Sequence, residues 1–232
     1  MSRTIRFQFT KGPEVRFLSH LDLVRAMDRA ARRAGLPMAF SAGFSPRPLM
    51  SYSYPLAVGV LSEAEYADFQ LAEDLTSQEF MERYNNHLPP GFRVLRAERL
   101  AEGAPALMSE INAALWQLEL PGAAVDEVKR RWQELKGMDS FEVERETKRG
   151  TRRVNLLPLI FGLTKIEERD GAVEVHCLAG LGPEGNLRVE EMGLLLGFSP
   201  AEAVITRIGQ FKKEGSRYQP PLGNRGFTWT DS

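Results

Sequence analysis

The chain has 232 residues, 43% hydrophobic and 26% charged, a balance that builds a packed globule and argues against disorder. One cysteine, Cys177, excludes an internal disulfide and leaves no Cys cluster for zinc or an iron–sulfur group, so no metal or cofactor is expected and a reducing compartment, the cytoplasm, fits. The net charge of −1 hides an uneven distribution: residues 1–60 carry nine Lys/Arg against three acids, and residues 61–82 carry seven acids and no base, which favours an anionic partner at the basic end.

Thr4 to Phe9 alternates apolar and polar side chains and stops at Lys11-Gly12-Pro13, which predicts a strand and a turn. Ser19 then offers an N-cap with Asp22 three positions on. Leu21, Leu23, Val24, Met27, Ala30, Ala31 and Ala34 keep helical spacing until Gly35-Leu36-Pro37 stops the helix. Extended signals between Met38 and Ser53 and the alternation of Glu65 to Leu71 predict two further strands. Leu75 to Leu88 reads as a helix capped by Thr76 or Ser77 and closed by Pro89-Pro90-Gly91, and Phe92 to Ala97 as a fourth strand.

The order then recurs after a small-residue linker, Ala101 to Pro105. Ala113–Leu120 reads as a strand, Ala123–Leu135 as a helix, Phe141–Thr147 and Ala172–Leu178 as strands, Leu187–Leu196 as a helix and Ala203–Phe211 as a last strand, with more chain between Lys148 and Asp170 than a hairpin requires. The expected fold is α+β: two tandem ferredoxin-like (β-α-β-β-α-β) halves with antiparallel sheets, residues 1–102 and 108–214, and an irregular tail over 215–232. The first residues lack the apolar core of a signal peptide, and no apolar run approaches the ~20 residues that span a bilayer, so a membrane is not expected among the partners.

Arg25, Arg29, Arg32 and Arg33 fall at i, i+4, i+7 and i+8, which places four guanidiniums on one stripe of the first helix. They are either a solvated face paired to Asp22 and Asp28 or a grip for phosphate oxygens, which the guanidinium fork fits. The following loop, Gly43-Phe44-Ser45-Pro46-Arg47-Pro48, is stiffened by its prolines and presents Arg47 and Phe44, an aromatic beside a cation as single-stranded RNA uses; alternatively Phe44 is core. Tyr52 and Tyr54 share one face of an extended segment, as either core residues or paired stacking rings. His20, just inside the helix start, where imidazole pKa falls, is the candidate general base, with Lys11, Tyr52 or Tyr54 near it for metal-free cleavage of RNA. His87 and His176 read as structural. A second basic cluster, with Arg145, Lys148, Arg149, Arg152 and Arg153 around Gly150, reads as an arm that closes on a polyanion or another protein, Arg149 and Arg152 being its candidate RNA contacts, or as a solvated loop tip.

The runs Arg16-Phe17-Leu18-Ser19-His20-Leu21-Asp22-Leu23, Arg29 to Pro37, Ser41 to Pro48, Pro55 to Gly59 and Glu65-Tyr66 together resemble an uncharacterised bacterial radical-SAM-linked family, specifically over residues 1–75 and more loosely beyond. That family is a domain of unknown function encoded beside, or fused to, a cobalamin-binding radical-SAM protein. The resemblance implies association with such a partner and no known reaction. Where this chain has Ser45 the family often has His, which weakens any metal or acid–base role for the loop. The chain lacks the Cys-x-x-x-Cys-x-x-Cys of a radical-SAM cluster, so it would serve as an accessory. A weaker similarity, of fold alone, is to the CRISPR-repeat endoribonucleases. The expected function is an accessory module that binds RNA through Arg25, Arg29, Arg32, Arg33, Phe44, Arg47, Arg149 and Arg152 and presents it to the radical-SAM partner. The alternatives are a metal-independent endoribonuclease using His20, and a protein–protein adaptor without nucleic acid.

Overall fold

The computed structural model describes residues 2–147, 150–223 and 225–230. Among them it is a mixed α+β fold with four α-helices and a sheet that is antiparallel except at one seam.

The first half runs β1 (Thr4–Lys11), α1 (His20–Arg33), β2 (Met50–Tyr52), β3 (Leu61–Gln70), α2 (Ser77–Asn85) and β4 (Val94–Arg99). The strands lie in the order β4-β1-β3-β2, each neighbour antiparallel. Alternation along β1 sends Ile5, Phe7 and Phe9 into the core. There Phe7 meets Phe69 at 4.8 Å, Phe80 at 5.2 Å and Tyr84 at 5.8 Å between ring centroids. Helix α1 covers these rings with Leu23, Met27, Ala30 and Ala31, and the Tyr84 hydroxyl donates to Met27 O at 2.9 Å, tying α2 to α1. Both helix starts follow the sequence: Ser19 Oγ accepts from the Asp22 amide, and Thr76 forms a capping box with Glu79.

The second half runs β5 (Ala113–Pro121), α3 (Val125–Lys136), β6 (Glu142–Thr147), β7 (Gly150–Asn155), β8 (Ile160–Arg169), β9 (Ala172–Gly180), α4 (Val189–Leu196) and β10 (Val204–Glu214). Its order is β10-β5-β9-β8, again antiparallel throughout. One expectation needs correction. The strand at 141–147 does not enter the sheet; it pairs with β7 as a separate two-stranded hairpin, and β8 takes the place expected for it. The hairpin is fastened by Arg145, whose buried guanidinium makes two 2.6 Å bonds to Glu191 of α4 and one of 2.7 Å to Asn186 O. Arg145 is therefore a structural residue and not part of a mobile basic arm.

The segment after Gly215, expected to be irregular, adds β11 (Arg217–Gln219) and β12 (Phe227–Thr228) to the end of β10. Tyr218 is buried and stacks on Phe227 at 4.9 Å. Trp229 fills the space left by Gly162, whose φ is +156° and whose added β-carbon would lie 1.8 Å from the indole.

The two halves meet where β10 runs parallel to β3, Thr206 opposite Leu61 and Arg207 opposite Ser62, which makes one ten-stranded sheet. A second core, distinct from that around Phe7, packs α3 and α4 on β5, β8 and β9, and it takes in Leu56, Val60, Ala64 and Tyr66 from the first half. No helix among the described residues is long and apolar enough to cross a membrane.

Candidate functional site

The loop after α1 is closed at its base. The Ser41 amide donates to Arg47 O at 2.9 Å, the Arg47 amide donates to Ser41 Oγ at 3.0 Å, and Phe40 bridges Pro48. Gly43, at φ +116°, supplies the reversal that residues with a β-carbon resist. The Phe40 ring lies 5.8 Å from the Arg32 guanidinium, so the loop stands against the helix, and Phe44 at its tip is fully exposed. The core alternative for Phe44 is thereby removed.

Between helix and loop lies a cleft of about 620 Å³. Arg25, Asp28 and Arg32 form one wall, Pro46, Arg47 and Pro48 the other, and His20, Tyr52 and Ser53 the floor. Two elements that the sequence singled out separately therefore face each other across one space. Arg25 reaches Asp22 at 3.4 Å and Arg32 straddles Asp28 with two 3.1 Å bonds, so two wall cations are paired at the surface. Such exposed pairs are worth about 0–1 kcal/mol and yield readily to a phosphate. The Arg47 side chain has no ion-pair or hydrogen-bond partner among the described residues.

Beneath the floor Lys11 and Glu65 are buried polar groups. His20 meets Tyr52 edge-on at 5.9 Å, and Tyr52 packs against Phe9 and Phe69. Burial lowers the His20 imidazole below its ordinary 6.5, opposed by the nearby Glu65 carboxylate. The Lys11 ammonium lies below, donating to Arg16 O at 2.8 Å; burial lowers its pKa as well, with Glu65 opposing and Arg207 adding to the shift. Glu65 is held by Arg207 through contacts of 2.6 to 2.9 Å, and Arg207 also donates to Tyr54 O at 2.9 Å. Gln210 donates to Ser53 Oγ at 3.1 Å. The floor segment, residues 53–54, is thus held by two side chains of β10 in the other half, one at the Ser53 hydroxyl and one at the Tyr54 carbonyl.

Of the residues expected to act, the cleft gathers His20, Arg25, Arg32 and Arg47, with Tyr52 in its floor and Phe44 at the tip of the loop wall. Arg29 and Arg33 are exposed on α1 outside the lining, and Arg33 donates to His87 O at 2.8 Å. Arg152 is exposed on β7 and does not line the cleft; Arg149 and Lys148 lie outside the described residues. Lys11 cannot touch a ligand, because its side chain is sealed beneath Tyr52 and Ser53. Sequence reasoning missed Glu65, Arg207, Gln210 and Met108. A signal existed for Arg207 and Gln210, polar residues inside an apolar strand pattern. Cys177 is buried, and its thiol is pushed up to about 12, so it offers no thiolate nucleophile. Among the described residues no group of three or more His, Cys, Asp or Glu is placed to hold a metal ion.

The molecule is thus an α+β protein with a basic cleft between a helix and a proline-rich loop. A family model described as an uncharacterized protein conserved in bacteria, DUF2344, matches residues 4–189, from the start of β1 to the start of α4. The chain belongs to this family, and the matched span contains every lining residue of the cleft. No curated protein matches the chain.

Proposed function

We propose that the protein is an accessory RNA-binding module that takes single-stranded RNA in the α1 cleft and presents it to a modification partner. The observation that carries this is the convergence of His20, Arg25, Arg32 and Arg47, from a helix and a facing loop, on one cleft with an exposed aromatic at its rim. Guanidiniums suit phosphate oxygens, and an aromatic offers a stacking surface for an unpaired base. The fold supports the reading: strand orders β4-β1-β3-β2 and β10-β5-β9-β8 correspond position for position, as two tandem ferredoxin-like halves would, with the β6–β7 hairpin inserted in the second. The resemblance to the radical-SAM-linked family supplies the partner, a cobalamin-binding radical-SAM protein, and the single cysteine and the absence of a long apolar run favour the cytoplasm as the place where they meet.

Binding is favoured over cleavage by the state of His20. Its ring makes no hydrogen bond among the described residues, whereas a general base is ordinarily oriented by one, and the one carboxylate on the wall, Asp28, is engaged by Arg32. The test is fluorescence anisotropy with a labelled 12-nucleotide oligo(U). Binding should weaken with salt, and Arg32→Ala with Arg47→Ala should weaken it at least tenfold, about 1.4 kcal/mol or more for the two contacts together. Equal binding by wild type and the double variant overturns the proposal. Cleavage in EDTA that His20→Ala abolishes would replace it with the endoribonuclease reading, and nuclease-resistant co-purification with the radical-SAM protein in the absence of RNA binding would replace it with the adaptor.

A further inference from the structure

A second hollow, of about 560 Å³, opens on the far side of the floor segment. It belongs mainly to the second half, lined by Tyr54, Asn112, Phe161, Lys213 and, from the loop after β9, Pro183 and Glu184. Met108 lines both spaces, and the Tyr54 hydroxyl donates to Met108 O at 3.2 Å, which fixes the saddle between them. The chain bends at Ser53 and Tyr54 just after β2, so Tyr52 and Ser53 line the cleft and Tyr54 the hollow, and the two tyrosines do not share one face of an extended segment as expected. Gly182, at φ +133°, lets its loop approach the Tyr54 hydroxyl, where an added β-carbon would lie 3.2 Å away.

The hollow has the same pairing of cation and ring as the cleft. The Lys213 ammonium stands 4.9 Å from the centre of the Phe161 ring. Its backbone is locked by Asn112, which accepts from the Lys213 amide at 2.6 Å and donates to Lys213 O at 3.1 Å. Its neighbour Lys212 is paired with Glu214, yet Lys213 makes no ion pair among the described residues, and Glu184 is the one acid in the lining. A cation held only by a ring gives way to a phosphate, and the half-buried Phe161 ring then offers the face it leaves to a base. Each space is of the size that takes one small ligand, about 300–1,000 Å³.

Resting on the RNA-binding reading, we infer that the cleft and the hollow form one track, and that a single RNA strand crosses Met108 from the α1 arginines to Lys213 and Phe161 in the other half. The experiment compares labelled oligo(U) of 4 and 12 nucleotides on wild type, Lys213→Gln and Phe161→Leu. Both variants should weaken the 12-mer at least threefold and change the 4-mer less than twofold, and Lys213→Gln should reduce the salt slope for the 12-mer by ~0.7. In wild type, a 12-mer bearing 4-thiouridine at its ends should crosslink to peptides of both halves, a readout that survives if a variant fails to fold.

Unchanged 12-mer affinity in folded variants, or crosslinks confined to residues around α1, overturns the track and leaves the cleft standing if Arg32→Ala with Arg47→Ala still weakens binding. No binding by wild type overturns the reading on which the track rests.

Discussion

At His20 two linkages of opposite sign meet. Tyr52 closes one side of the ring, Glu65 and Lys11 lie beneath it, Arg25, Asp28 and Arg32 flank the cleft above, and burial holds the imidazole below 6.5. The folded protein therefore binds fewer protons here than the unfolded chain, so this residue's contribution to stability is complete above 6.5 and declines as pH falls from there through the folded value. An RNA phosphate at the cleft favours the imidazolium instead, so affinity should rise over the same interval. We expect anisotropy titrations from pH 7.5 to 5.5 to show tighter binding in acid for wild type and a flat profile for His20→Gln; equal slopes would remove His20 from the contact surface. The histidine itself was legible from its place after a capping serine. Its neighbour Glu65 was not, because nothing local in an alternating strand says that a charge points inward toward a partner 142 residues away.

Helix α1 was read from sequence almost to the residue because its signals are local: a serine cap, a 3.6-residue apolar period and Gly35 at φ +60°. Ser19 both accepts from the Asp22 amide at 3.2 Å and donates to the Asp22 carboxylate at 2.7 Å. Ser19→Ala should cost about 1 kcal/mol in urea denaturation, the usual worth of a cap. Because the first turn carries His20, we also expect faster hydrogen exchange there without change in the core strands. Elements that depend on distant partners were harder to read. Strand β8 went unread because its alternation is broken by two register shifts against β9, between Ile160 and Gly162 and between Leu163 and Lys165. The regular alternation at 141–147 suggested a sheet strand, but that pattern records one half-buried face and is met equally well by a hairpin laid over a second core.

For the molecule as a whole, the seam between halves sets what the chain tolerates. It has two paired positions on β3 and β10 and a buried Glu65–Arg207 pair with no exposed surface on the arginine and Trp116 beneath its guanidinium. Arg207→Ala strands a buried carboxylate and removes the donor to Tyr54 O, so a loss of about 3–5 kcal/mol is expected in chemical denaturation. Glu65→Leu with Arg207→Met should recover most of that stability, because both charges leave together, while RNA binding stays weakened as the floor loses its support; recovery of both would show that the pair has no part in shaping the cleft.

The same seam bears on how the protein is made. Glu65 emerges from the ribosome 142 residues ahead of Arg207, roughly 7–28 s at ordinary bacterial elongation rates. During that interval β3 lacks its β10 neighbour and Glu65 lacks its Arg207 partner. The side chains that hold the floor, Arg207 and Gln210, come only with β10, so synthesis of the second half sets the earliest moment at which the cleft can take its finished shape.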